Sequence, residues 1–135
     1  MTRYLLDTNH ASWLMAGSER ITSRVRQAQA SGDQFGLSVT VLGELYYAIY
    51  ASQQREENLR RLHSLLRALI LWPFDELTAE VFGRIQAEQK AKGLPIPPLD
   101  AQIAAVARAH DLVLLTADRH FQFVAGLTIE NWQGS

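Results

Sequence analysis

The chain contains no cysteine. That excludes disulfides, thiolate zinc sites and cysteine nucleophiles, and it suits a reducing compartment. Long apolar runs are also missing. Stretches such as Ala68 to Trp72 fall far short of the ~18 residues a membrane span needs. No basic start precedes a long apolar run, so no secretory signal is expected and the expected localisation is cytoplasmic. Neither sign of charge dominates: 13 Lys and Arg face 14 Asp and Glu, for a net charge of -1. That argues against a protein that coats DNA through a general basic excess. His10, His63, His110 and His120 show no HxxxH or HExxH spacing, which leaves a zinc-peptidase site unsupported. GxSxG, P-loop and GxGxxG motifs are absent, which lowers the hydrolase-triad, NTPase and dinucleotide readings. Proline is scarce, and its only cluster lies in GLPIPP (93–98), a stiff loop just before Asp100.

What is present is ordinary for a globular protein: 47% apolar and 20% charged residues in 135. One domain spanning residues 1–135 is expected, long enough to bury about two-thirds of its unfolded surface. Short apolar runs at Arg3–Leu6, Gln34–Val39, Leu71–Phe74, Leu112–Thr116 and Thr128–Trp132 read as strands. Between them, helical spacing predicts His10–Ala16 capped by Asn9, Thr22–Ala30, Thr40–Ser52, Glu56–Leu69, Thr78–Lys92 closed by Gly93, and Ala101–His110. Strands separated by helices imply right-handed crossovers and a mainly parallel sheet covered on both faces. Sites in such sheets form beyond the carboxyl ends of the strands.

Four carboxylates fall at or near those places. Asp7 interrupts YLLDTN at the end of the first strand, and Glu44 lies one turn into the helix after the second. Asp100 opens the helix before the fourth strand, and Asp118 follows that strand in LLTADRHF. Singly, each has a structural explanation: Asp100 as an N-cap, Asp118 as a turn residue, Glu44 as a helix surface charge. The apolar settings of Asp7, Glu44 and Asp100 argue otherwise, because a carboxylate beside buried residues is costly unless something there needs its charge. Several uncompensated acids in one cleft would repel. A hard divalent cation removes that difficulty, and Mg²⁺ binds few carboxylates, keeps waters and meets substrate phosphate. Phosphoester chemistry is the expectation. With four acids committed to such a site, 13 positive charges remain against 10 negative ones, so a nucleic-acid substrate is compatible with the composition.

The stretches LLDTN (5–9), SVTVLGEL (38–45), EENLRRL (56–62), LDAQIAAVARAHDLVLLTADRHF (99–121) and GLTIENW (126–132) run nearly end to end. In content and order they resemble the PIN-domain nucleases, and within them the VapC-type toxin ribonucleases of toxin–antitoxin pairs. The resemblance implies an α/β fold with a five-stranded parallel sheet flanked by helices. It also implies Asp7 and Asp100 as principal metal ligands, with Asp118 and Glu44 completing the catalytic quartet directly or through water. Asn9 and Thr116 are similar to polar residues that position those carboxylates. The implied cofactor is Mg²⁺ or Mn²⁺. The implied partners are an RNA substrate, a small antitoxin that blocks the cleft, and a second copy in a homodimer. Two features depart from the family pattern: Pro98-Leu99 precedes Asp100 where many relatives have a glycine nearby, and Ala48 replaces a common glycine.

Other signals are less specific. Arg84, Lys90, Lys92 and Arg119 lie before or beside the acidic loops, where they could hold RNA phosphates or form an ordinary solvated face. Tyr46, Tyr47 and Tyr50 could stack bases, although core packing is the better reading for at least one. Trp13 and Met15 could belong to an oligomer or antitoxin surface. Two competing functions stay open: a phosphatase using Asp7 as nucleophile, against which stands Asn9 where such enzymes carry a second Asp, and a degenerate module retained for partner binding.

Overall fold

Leu5, Leu6, Leu37, Leu114 and Leu115 are completely buried, as expected of central strands covered on two faces. In the computed structural model, which describes residues 1–133, they belong to a five-stranded sheet. Its strands are β1 (Arg3–Leu6), β2 (Gln34–Ser38), β3 (Ile70–Trp72), β4 (Val113–Leu115) and β5 (Thr128–Glu130). Every pairing is parallel and the order is β3-β2-β1-β4-β5. The chain therefore winds outward from β1 in one direction, then crosses back to wind outward in the other. The reversal falls between β1 and β4, the place where open α/β sheets hold their sites.

Six helices fill the connections: α1 (Thr8–Met15), α2 (Glu19–Ala30), α3 (Val39–Tyr50), α4 (Arg55–Leu66), α5 (Glu76–Ala91) and α6 (Pro98–Ala109). Right-handed crossovers in opposite directions put α1–α4 on one face and α5–α6 on the other. The packing agrees, with α1 against α2, α3 and α4, and α5 against α6. α6 is the apolar lid of its face, with Ala101, Ala104, Ala105 and Val106 fully buried. Gly93 ends α5 at φ 70°, and Leu94 N–H returns to the Gln89 carbonyl at 3.0 Å, a closure that favours glycine. Gly36 in β2 answers a different need. A Cβ there would lie 2.6 Å from the Ile70 carbonyl oxygen and 2.8 Å from Trp72 Nε1.

Several boundaries differ from the sequence reading. Asp7, not Asn9, caps α1, because its carboxylate reaches the His10 backbone N–H at 2.7 Å. α2 begins three residues earlier than expected, at Glu19. The third strand is Ile70–Trp72 and ends at Pro73, which has no N–H to give a ladder. Trp132 lies beyond β5 rather than within it, and is buried against Tyr4 and Phe35 with ring centroids 4.8 and 5.5 Å away. Trp13 and Met15 are partly buried against the core.

Candidate active site

The β1–β4 ladder runs one residue past β1: Asp7 N–H donates to the Leu115 carbonyl at 3.0 Å. The carboxylate is thus delivered at the sheet's carboxyl edge while its backbone remains paired. It is only 6% exposed, and Oδ1 accepts both the His10 N–H at 2.7 Å and a contact from His10 Nδ1 at 3.1 Å. One strand away, Thr116 continues β4 by donating its N–H to the Glu130 carbonyl at 2.9 Å. Its buried hydroxyl then accepts the Asp118 N–H at 3.0 Å, which turns the chain so that Asp118 faces the same edge. Asp118 in turn caps a 3-10 turn over Arg119–Phe123, accepting the His120 N–H at 2.9 Å.

The other two acids come from helices. Asp100 lies in the first turn of α6, which opens on Pro98 with Pro97 at the cap position. It is not itself the N-cap. Glu44 projects from α3, where Thr8 donates its hydroxyl to Oε1 at 2.6 Å. In a neighbouring groove, Thr40 Oγ1 donates to Gln102 Oε1 at 2.8 Å and ties α3 to α6. Asp7, Glu44, Asp100 and Asp118 together line one cavity of about 240 Å³, with Thr8 and Asn9 at its rim and Ile103 and Phe121 as apolar wall. The structure thus gathers the four acids from separate segments. Thr116 acts through the turn it shapes, and Asn9 lies at the rim. The hydrogen bond that fixes Glu44 comes from Thr8.

Charge in this cavity is poorly balanced. Burial, followed by the repulsion of Asp118 and Glu44, pushes the Asp100 carboxyl above its usual range; His120 opposes the shift, and Asp7 adds the smallest contribution. Asp7, Asp100 and Asp118 each sit at the start of a helical segment, whose unpaired N–H groups carry partial positive charge and favour an anion. Among the described residues, no group of three or more His, Cys, Asp or Glu side chains is arranged to hold a metal ion by itself. The donors in the cavity are nonetheless all oxygen, the set that suits Mg²⁺ or Mn²⁺ in sites where waters and substrate phosphate complete the shell.

The four basic candidates lie outside this cavity. Arg84 pairs with Glu80 at 2.9 Å on exposed α5, and Lys90 is exposed near the end of that helix. Lys92 Nζ donates to the Phe123 carbonyl at 3.1 Å, on the same turn that Arg119 begins, and both side chains are exposed. Of the tyrosines, Tyr46 packs partly against the core, whereas Tyr47 is 78% exposed beside Glu44 and Leu99 along a second groove. His10, which contacts Asp7 Oδ1 through both its ring and its backbone N–H, is not among the residues the sequence points to. Its signal in the sequence was only its place three residues after Asp7.

An all-parallel sheet of this order, with acids gathered at its switch point, is the arrangement of a PIN domain. The profile of that family matches residues 4–127, and the chain belongs to it. Its relatives are more particular. It is 32% identical over 133 residues to the tRNA(fMet)-specific endonuclease VapC of Shigella flexneri, covering 98% of this chain and 99% of that one. It is 34% identical over 134 residues to ribonuclease VapC2 of Haemophilus influenzae, again covering 98% and 99%. Among solved structures it resembles VapBC2 from Rickettsia felis bound to a DNA fragment from their promoter, with a TM-score of 0.91 and 27% identity over 97% of this chain and 99% of that one. DNA-bound VapBC from Salmonella typhimurium gives a TM-score of 0.89 at 30% identity, covering 98% and 99%.

Proposed function

We propose that this chain is the endoribonuclease toxin of a toxin–antitoxin pair, which cleaves RNA phosphodiesters in the acidic cavity and is neutralised by a cognate antitoxin. The observation that carries this reading is the meeting of Asp7, Glu44, Asp100 and Asp118 in one cavity, in a chain whose relatives are VapC ribonucleases. Residues 1–135 act as one PIN-like domain, in the cytoplasm, as a homodimer. Among the described residues, no helix is long and apolar enough to cross a membrane.

Asp7, Asp100 and Asp118 would hold Mg²⁺ or Mn²⁺, with Glu44 reached directly or through water. Such an ion supplies an activated water and charge stabilisation for in-line displacement at phosphorus. The chain's own part is positioning. His10 and the β4 pairing fix Asp7. The Thr8 hydroxyl fixes Glu44, and Thr116 sets the turn that presents Asp118. Ile103 and Phe121 give the cavity apolar lining beside the acids. No nucleophilic side chain is needed, because developing charge is met electrostatically. Lys92 and Arg119, with Arg84 and Lys90 further out, would take RNA phosphates, so binding would weaken as salt rises.

The test is RNA cleavage by purified Asp7→Asn and Asp100→Asn variants, with tRNA(fMet) as the first substrate. Loss of cleavage in folded protein is expected. Full activity in either variant would sink the assignment.

A further inference from the structure

His10 is completely buried, and both of its ring nitrogens are engaged. Nε2 lies 3.1 Å from the backbone nitrogen of Trp132, 122 residues along the chain. A backbone N–H can only donate, so Nε2 must offer a lone pair. The single proton of a neutral imidazole then sits on Nδ1, which faces Asp7 Oδ1 at 3.1 Å. We propose that His10 is a positioning residue for Asp7, held in its Nδ1–H form by the Trp132 backbone.

His10 grips one carboxylate oxygen from two directions, through its ring and through its own backbone N–H at 2.7 Å. Among the described residues, Oδ2 carries no hydrogen bond, and Asp7 lines the cavity. Two donors on one oxygen stop the carboxylate from rotating, which leaves the other oxygen for a ligand. Acids that bind metal are commonly oriented by such hydrogen bonds. The donor to Nε2 is itself fixed. Trp132 is 4% exposed, wedged against Tyr4 and Phe35. The Arg24 guanidinium lies 4.2 Å from its ring centroid, and its Nε1 donates to Glu130 at 2.9 Å. The segment after β5 therefore sets the geometry of an acid near the chain's start. This inference rests on the metal-site reading above.

Two variants separate the functions of the ring. In His10→Asn, the side-chain amide can donate to Asp7 but cannot reach Trp132. In His10→Gln, the carbonyl can accept from Trp132 but the donor to Asp7 is lost. Mn²⁺ titration of the full chain should show affinity ~10–100-fold weaker for His10→Gln, with His10→Asn retaining most of it at a comparable loss of thermal stability. Ring nitrogen NMR of the unmodified chain should show Nδ1 protonated and Nε2 bare. Equal losses of Mn²⁺ affinity in both variants, or a protonated Nε2, would overturn the positioning role. Failure of the unmodified chain to bind Mn²⁺ would overturn the metal reading itself, and this one with it.

Discussion

Asp100→Asn should make the metal-free protein more stable while removing its response to metal. Partial burial first, and then the charges of Asp118, Glu44 and Asp7, hold the Asp100 carboxyl above the usual range. Asn keeps the shape and removes the charge. Removing a charge that is both half-buried and repelled stabilises by about 1 kcal/mol after allowance for solvent screening. A 135-residue domain has an unfolding entropy of ~0.28 kcal/mol/K, so the midpoint should rise by ~3–4 °C. Added Mn²⁺ should reverse the ranking. At about 100 times Kd it contributes ~2.7 kcal/mol to the parent, or ~10 °C on the same scale, and little to the variant. Thermal melts with EDTA and with Mn²⁺ read both effects. A variant that melts below the parent in EDTA, or that gains as much from Mn²⁺, would refute the reasoning. The sign with pH is also fixed. A carboxyl with a raised folded pKa costs stability while ionised. As pH falls from neutral through that value, the folded state takes up the proton first and the cost fades, ending near the ordinary Asp pKa of about 3.9. The metal-free parent should show this gain on mild acidification and Asp100→Asn should lack it.

Gly36→Ala should cost about 2–3 kcal/mol, because the Ile70 carbonyl 2.6 Å from the new Cβ cannot move without opening the β2–β3 pairing. Melting should report the loss, while cleavage per folded molecule stays unchanged because β3 is an edge strand away from the acids. Arg108→Ala should lose about 1–2 kcal/mol after allowance for solvent, since its guanidinium bonds both Glu88 oxygens at 2.8 and 3.0 Å and the Ala125 carbonyl at 3.2 Å. Arg108 also holds the Glu88 carboxyl below its usual range. That stability is present above the ordinary Glu pKa and lost as pH falls through the lowered value, so the variant's stability should fall less steeply at strongly acid pH.

Much of this architecture was legible because its signals are local. Arg3–Leu6 is the first strand in both readings. The other strands were found within a few residues, because short apolar runs bounded by helix starts have few alternatives. Three of the acids stood out because Asp7 and Asp118 follow strands and Asp100 lies in the first turn of a helix, whereas Glu44, inside α3, stood out by its apolar neighbours Leu42, Leu45 and Tyr46. Strand order was not legible, since it depends on which edges the crossovers choose. Capping was misread for a related reason. Asp7 and Asn9 are both good caps by type, and only the β1–β4 pairing that holds Asp7's backbone decides between them. His10 and Trp132 were missed as a pair because their contact spans 122 residues and no spacing rule reaches that far.

The most direct measurement is an anomalous difference map from a crystal of this chain grown with Mn²⁺. A peak is expected in the cavity, touching Asp7 and Asp100 on the side away from His10. A protein that cleaves RNA with no Mn²⁺ in that cavity, or with the ion bound elsewhere, would contradict it.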